Sequence, residues 1–353
     1  MDLQNLWFVL IAILWSGYFL LEGFDFGVGM LLPFLPRNEG ERGVMFRTIG
    51  PVWDGNEVWL VGAGGATFAA FPTWYATMFS GFYLALLLIL FFLIIRVVSF
   101  EWRSKAESAR WRTIWLWANA VGSFGASLIW GIGLANLLYG VPINSSHDFD
   151  GSFWDLFSVY TVLAGVTIVL LFTFHGATYL TIRTTGALCE RAARTARQFS
   201  VAAAVLGAAF LAWTVQVATD KNHKDVWPPI LPAILGIAAL ALAVLFVFRR
   251  RSGLAFTATA FAAVLWVATI FTSLYPRVMV SSTDFSNSLT VDNASSAHYT
   301  LAVMSVVALI FLPLILLYQG WTYYVFRARV TGGKQEEEPD QPVTAPDAPP
   351  TPA

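Results

Sequence analysis

The sequence predicts an all-α, polytopic membrane protein of nine transmembrane helices, with the N-terminus outside and the C-terminus cytoplasmic. Three observations carry this reading. The 353 residues are 57% hydrophobic and only 12% charged, against roughly 25% charged residues in soluble domains; the mean hydropathy is +0.64. Nine stretches are predominantly apolar over the roughly 20 residues that a bilayer crossing requires. The basic residues also fall in alternate connections, which sets the orientation and demands an odd number of spans.

The first predicted span, 5–32, lacks a basic leader and an A-x-A cleavage pattern, so it reads as a helix that stays rather than a signal that is removed. The second, 51–71, opens at Pro51, a favoured first helical position, and closes before Phe71-Pro72, where the residue preceding proline is pushed out of the helix. The others are 76–98, 114–138, 158–181, 199–218, 228–248, 254–275 and 298–326. Of the 21 Lys and Arg, all but Lys221, Lys224 and Arg277 lie in one set of loops, among them Arg37, Arg96, Arg103, Arg191, Arg250 and Arg327. That set is cytoplasmic by the positive-inside rule.

The connection over 139–157 is acidic and carries no Lys or Arg, as expected of the outer side, and 276–297 is rich in Ser, Thr, Asn and Asp. The domain reading is a nine-helix membrane domain over 1–330, followed by an acidic, Pro-rich, disordered cytoplasmic tail over 331–353. A formal net charge of -1 hides the segregation of charge and so says nothing about a nucleic-acid or acidic partner; no nucleic-acid partner is assigned. Cys189 is the only cysteine, so an internal disulfide or a thiolate cluster is excluded.

Chemistry is suggested where carboxylates sit inside apolar segments, because each costs several kcal/mol there unless it has a use. In EGFDFGVG, Glu22 and Asp25 are three residues apart and share a helix face, beside a Gly23-x-x-x-Gly27 seam that admits another helix closely. In WDGNEVWL, Asp54 and Glu57 have the same spacing near a helix start, Asn56 adds a neutral relay group, and Gly62, Gly64 and Gly65 suggest a tight contact surface. Plainer readings exist for both: a packing seam for the first pair, and favourable placement at a helix N-terminus for the second. His147, His223 and His298 fall at the outer boundary, leaving His175 alone within a span. One histidine without a second ligand at suitable spacing makes a poor metal or haem site, so no metal is assigned and His175 reads as a satisfied core residue.

The segments EGFDFGVG from Glu22, PVWDGNEVWL from Pro51, GGATFAAFPTWYA from Gly64, FSGFYLAL from Phe79, NLLYGVP from Asn136, HGATYL from His175 and YPRVMVSS from Tyr275 occur in this order across nine spans. Together they resemble the smaller subunit, subunit II, of cytochrome bd-type quinol oxidases. Family members can carry Asp at position 22 and Gln at position 57.

The resemblance implies a bacterial cytoplasmic (inner) membrane complex. Its larger subunit I would ligate two haems b and haem d, oxidise quinol, and reduce O2 to water with cytoplasmic protons. The present chain would ligate no haem, scaffold subunit I, and contribute to proton uptake. Asp54 matches the family's proton-path aspartate and Asp25 its first-helix signature. Glu57 and Glu22 are their companions, in a proton pathway or in subunit docking. Trp53 is a candidate neighbour of a bound quinone or lipid. The alternative from residue chemistry is a proton-coupled secondary transporter, against which stands the confinement of the acidic pairs to the first two spans. A purely structural membrane subunit is a third class.

Overall fold

The computed structural model describes residues 2–331. Its eleven α-helices are α1 (Leu3–Leu31), α2 (Glu39–Ile49), α3 (Trp53–Ala70), α4 (Pro72–Gly81), α5 (Tyr83–Trp102), α6 (Ala109–Tyr139), α7 (Val159–Arg183), α8 (Gly186–Asn222), α9 (Ile230–Phe248), α10 (Ser252–Leu274) and α11 (His298–Val325). A two-stranded antiparallel ribbon, β1 (Arg277–Met279) and β2 (Leu289–Thr290), pairs Arg277 with Thr290. Among the described residues, eight helices are long and apolar enough to cross a membrane, where the sequence predicts nine. The missing one is α3, which has 18 residues but spends its first turns on Asp54, Asn56 and Glu57.

Several boundaries differ from the sequence expectation for identifiable reasons. Pro51 and Val52 form a turn, so α3 starts at Trp53; its end at Ala70, just ahead of Phe71-Pro72, is as expected. The predicted span 76–98 is displaced. The chain bends at Phe82, where Gly81 lies against the Phe149 ring, and the apolar helix runs on from Tyr83 to Trp102. Phe82 N–H still donates to Met78 O and Leu86 N–H to Phe82 O, so the ladder bends without breaking. Arg96, assigned to a loop by the sequence reading, therefore lies inside α5 and is fully buried. The predicted span 199–218 is part of a 37-residue helix, about 55 Å long at 1.5 Å per residue, because the Ala- and Arg-rich segment before it consists of good helix formers.

Helix α2 was missed from the sequence. Its signal was Asn38 followed three residues later by Glu41, and the Asn38 side chain does accept from Glu41 N–H at 2.9 Å. It is fastened by Tyr179 Oη donating to Thr48 O at 2.8 Å and by the Arg191–Glu41 ion pair at 2.5 Å. The acidic tail expected over 331–353 lies, Thr331 apart, outside the described residues.

Helix α1 runs through the middle of the bundle, with every side chain from Glu22 to Leu32 buried. Its glycine seam meets α7. A Cβ on Gly27 would stand 1.9 Å from Phe172 O, and one on Gly176 would stand 2.4 Å from Gly27 C, so the two backbones touch. Gly23 lies under the Phe172 ring. Helix α3 is antiparallel to α1: Asn56 meets Asp25, and Trp59 further on fills the space at Gly17. Helix α11 is parallel to α1, since Trp7 Nε1 donates to Leu301 O at 3.2 Å while Gln319 and Tyr323 reach Asn56. Between those ends only 6% of its most apolar stretch is buried. Gly62, Gly64 and Gly65, expected to form a tight surface, have open space around them within this chain.

Gly27→Ala should destabilise the fold by about 3 kcal/mol, since backbone on the facing helix cannot yield to the added methyl. Gly62→Ala, in open space, should be neutral or slightly stabilising. Thermal unfolding followed by size-exclusion chromatography compares the two.

Candidate functional site

The carboxylates inferred from the sequence converge at the crossing of α1, α3 and α5. Tyr18, Glu22 and Asp25 lie at i, i+4 and i+7, one face of α1. Glu57 enters from the second turn of α3 and Arg96 from α5. What brings Arg96 in is the close approach of α5 to α6: a Cβ on Gly122 would stand 2.5 Å from Phe92 O and 2.9 Å from Arg96 Cβ. Asn119 of α6 donates to Arg96 O at 3.3 Å and to Ser99 Oγ at 2.8 Å, fixing the helix at the arginine and in the turn after it.

Arg96 Nη1 lies 2.5 Å from Glu22 Oε1 and 3.2 Å from Glu57 Oε2, and its guanidinium rests 4.8 Å from the centre of the Phe26 ring. Glu22, Asp25 and Arg96 are fully buried; the Glu57 side chain is 18% exposed. Asn56 Nδ2 donates to Asp25 Oδ2 at 2.7 Å. Among the described residues, Glu22 Oε2, Asp25 Oδ1, Glu57 Oε1 and Tyr18 Oη have no hydrogen-bond partner. Glu22 and Glu57 thus share one guanidinium, with Asp25 beside them on Asn56 and only Glu57 partly exposed. One positive charge offsets one carboxylate, so the cluster has the chemistry of a site that holds and exchanges protons.

Glu22, Asp25 and Glu57 are therefore brought together, and Asp54 is set apart. It is exposed, one turn before Glu57 and two residues from the buried Asn56, on the side of α3 turned away from Asp25. Trp53 is half-buried and stacks on Phe100 with ring centres 5.3 Å apart. Sequence reading missed Arg96, Gln319 and Tyr323. Arg96 was legible as an arginine following the apolar run LALLLILFFLII; the α11 pair, more than 260 residues from Asn56, gave no local signal.

His175 is fully buried. Its Nδ1 lies 2.7 Å from Thr259 Oγ1 and its Nε2 3.2 Å from Leu20 O, and the ring stacks on Phe256. Both nitrogens are occupied by protein, so this residue does not fit a haem ligand. Among the described residues no group of three or more His, Cys, Asp or Glu could hold a metal ion.

A family model described as cytochrome bd terminal oxidase subunit II matches residues 3–326. The chain belongs to that family. It is 43% identical to the cytochrome bd ubiquinol oxidase subunit 2 of Bacillus subtilis (strain 168), over 94% of this chain and 97% of the relative. It is 38% identical to the cytochrome bd-I ubiquinol oxidase subunit 2 of Escherichia coli (strain K12), over 93% and 95%. The bd oxidase structure from Geobacillus thermodenitrificans shares the fold, with a TM-score of 0.74 at 18% identity, covering 92% of this chain and 99% of that one. The protein is accordingly a multi-pass membrane subunit of a respiratory quinol oxidase complex, and the secondary-transporter reading is not favoured.

Replacing Arg96 by Gln leaves Glu22 buried without its counter-charge and should destabilise the chain by about 3–5 kcal/mol. Arg96→Lys, which keeps the charge but not the fork, should lose less. Yield and thermal midpoint of the purified protein give the order.

Proposed function

We propose that this chain is the non-haem-ligating subunit of a cytochrome bd oxidase, scaffolding subunit I and helping to supply it with cytoplasmic protons. Subunit I would carry two haems b and haem d in a bacterial cytoplasmic membrane, oxidise quinol and reduce O2 to water. The observation that supports a proton role most directly is the pairing of buried Glu22 and partly exposed Glu57 on one Arg96, with buried Asp25 beside them. Asp54 would act earlier, at the exposed edge of α3, as the group that meets protons from the cytoplasm, with Glu57 one turn inward.

The nine-span topology belongs to the same proposal. Helix α3 would cross the membrane between α1 and α11, its polar first turns shielded by them; its 18 residues span about 27 Å. The N-terminus would then lie outside and the C-terminus in the cytoplasm. Subunit I would cover the open glycines of α3 and the exposed apolar rows of α11, including Leu309, Phe311 and Leu317. Lipids would cover the remainder. Trp53, stacked at the surface end of α3, remains a candidate contact for a bound quinone or lipid.

Glu22 and Asp25 admit a second reading, as residues that hold the heterodimer together, and their burial bears on it. Both are fully buried within this chain, which favours proton handling over direct docking.

In the purified complex, Asp54→Asn should lower quinol-driven oxygen consumption by about tenfold or more with an unchanged haem spectrum; normal turnover with full haem content removes the proton role of that residue. Asp25→Asn separates the two readings of the buried pair. Lost turnover with haem retained supports proton transfer, whereas lost haem incorporation supports assembly.

A further inference from the structure

Asn56 is fully buried, and its amide joins the acidic cluster to α11. The two ends of that amide face different chemistry. Nδ2 donates to Asp25 Oδ2 at 2.7 Å and points to Leu21 O at 3.4 Å. Oδ1 accepts from Tyr323 Oη at 2.7 Å and from Gln319 Nε2 at 3.0 Å. A peptide carbonyl has no proton to give, so a flipped amide would set oxygen against oxygen at Leu21. The amide therefore stands one way round, and Asp25 Oδ2 is an acceptor. Asp25 Oδ1 has no hydrogen-bond partner among the described residues.

We propose that Asn56, clamped by Gln319 and Tyr323 of α11, is a positioning residue that keeps Oδ2 of Asp25 as the accepting oxygen and makes Oδ1 the atom that takes and releases the proton. This rests on the proton-handling reading of the cluster. Transfer requires donor and acceptor within about 2.6–3.2 Å of one another, so deciding which oxygen carries the proton decides which neighbour can exchange it. The ionisable groups around Asp25 are Glu22 on its own helix, Glu57 from α3, Arg96 from α5, Tyr179 from α7 and Tyr323 from α11. Asn56 reserves one side of the carboxyl and leaves the other for exchange with the carboxyls of Glu22 and Glu57. Gln319 and Tyr323 act through Asn56 and touch no reacting atom.

A protonated carboxyl whose carbonyl oxygen accepts a hydrogen bond absorbs at lower infrared frequency than one whose carbonyl is free. Infrared difference spectra of the assembled oxidase on acidification thus read the contact directly. The expected result is a carboxyl band that is absent in Asp25→Asn and moves to higher frequency in the Gln319→Leu, Tyr323→Phe double variant, with haem content unchanged. Asp25→Glu, which keeps the carboxyl, assigns the band where Asp25→Asn does not assemble. An unmoved band in the double variant, or the absence of any band belonging to Asp25, overturns the proposal. Normal turnover of Asp25→Asn counts against the proton-handling reading instead, because the band position is measured whether or not oxygen reduction draws on that proton.

Discussion

A guanidinium held between carboxylates in an apolar bundle is the constraint on which the rest of this structure depends. Arg96 and Glu22 are both without solvent exposure, 2.5 Å apart. Neither would be tolerated alone, since stranding one partner of a buried pair costs several kcal/mol. The surrounding elements are arranged to prevent that. Gly122 lets α6 press α5 inward at the level of the arginine, Phe26 lies under the guanidinium, and Gly27 and Gly176 let α7 close over the far side of α1. The small residues of the central helices are thus the means by which charge is kept away from lipid.

Helix α3 explains how such a cluster communicates with the outside of the chain. Its composition is too polar for an ordinary span, yet it packs along α1 with α11 beside it. Asn56 faces inward and Asp54 outward, two residues apart, so this one helix forms the wall between the interior group and the surface. Glu57, partly exposed and 3.2 Å from Arg96, stands in that wall.

Much of this was legible in the sequence. The carboxylates at 22, 25 and 57 were singled out because charge in an oily segment needs a reason, and they do meet. The glycine seam at Gly23 and Gly27 announced a close helix crossing, though not that α7 would supply it. What was not legible depended on contacts remote in the chain or on local bending. Arg96 was counted with the cytoplasmic loops because it falls in the last turn of the predicted span 76–98, whereas α5 runs on to Trp102; the bend at Phe82 accompanies packing of Gly81 on Phe149, which no periodicity reveals. Gly62, Gly64 and Gly65 were read as a contact surface, but they face open space in this chain; small residues show where a close approach is sterically allowed, not whether the partner is in the same polypeptide. Gln319 and Tyr323 are ordinary helix residues until α11 is laid against α3.

Helix α11 follows every other described helix in the chain, so it is the last of them to leave the ribosome. Until it arrives, the inward-facing amide of Asn56 has neither of its donors, and α3 has no cover on that side. Completion of the acidic centre is therefore tied to the synthesis of α11. A chain cut short before α11 would leave a polar wound in its wall, since Asn56 Oδ1 would be stripped of Tyr323 and Gln319.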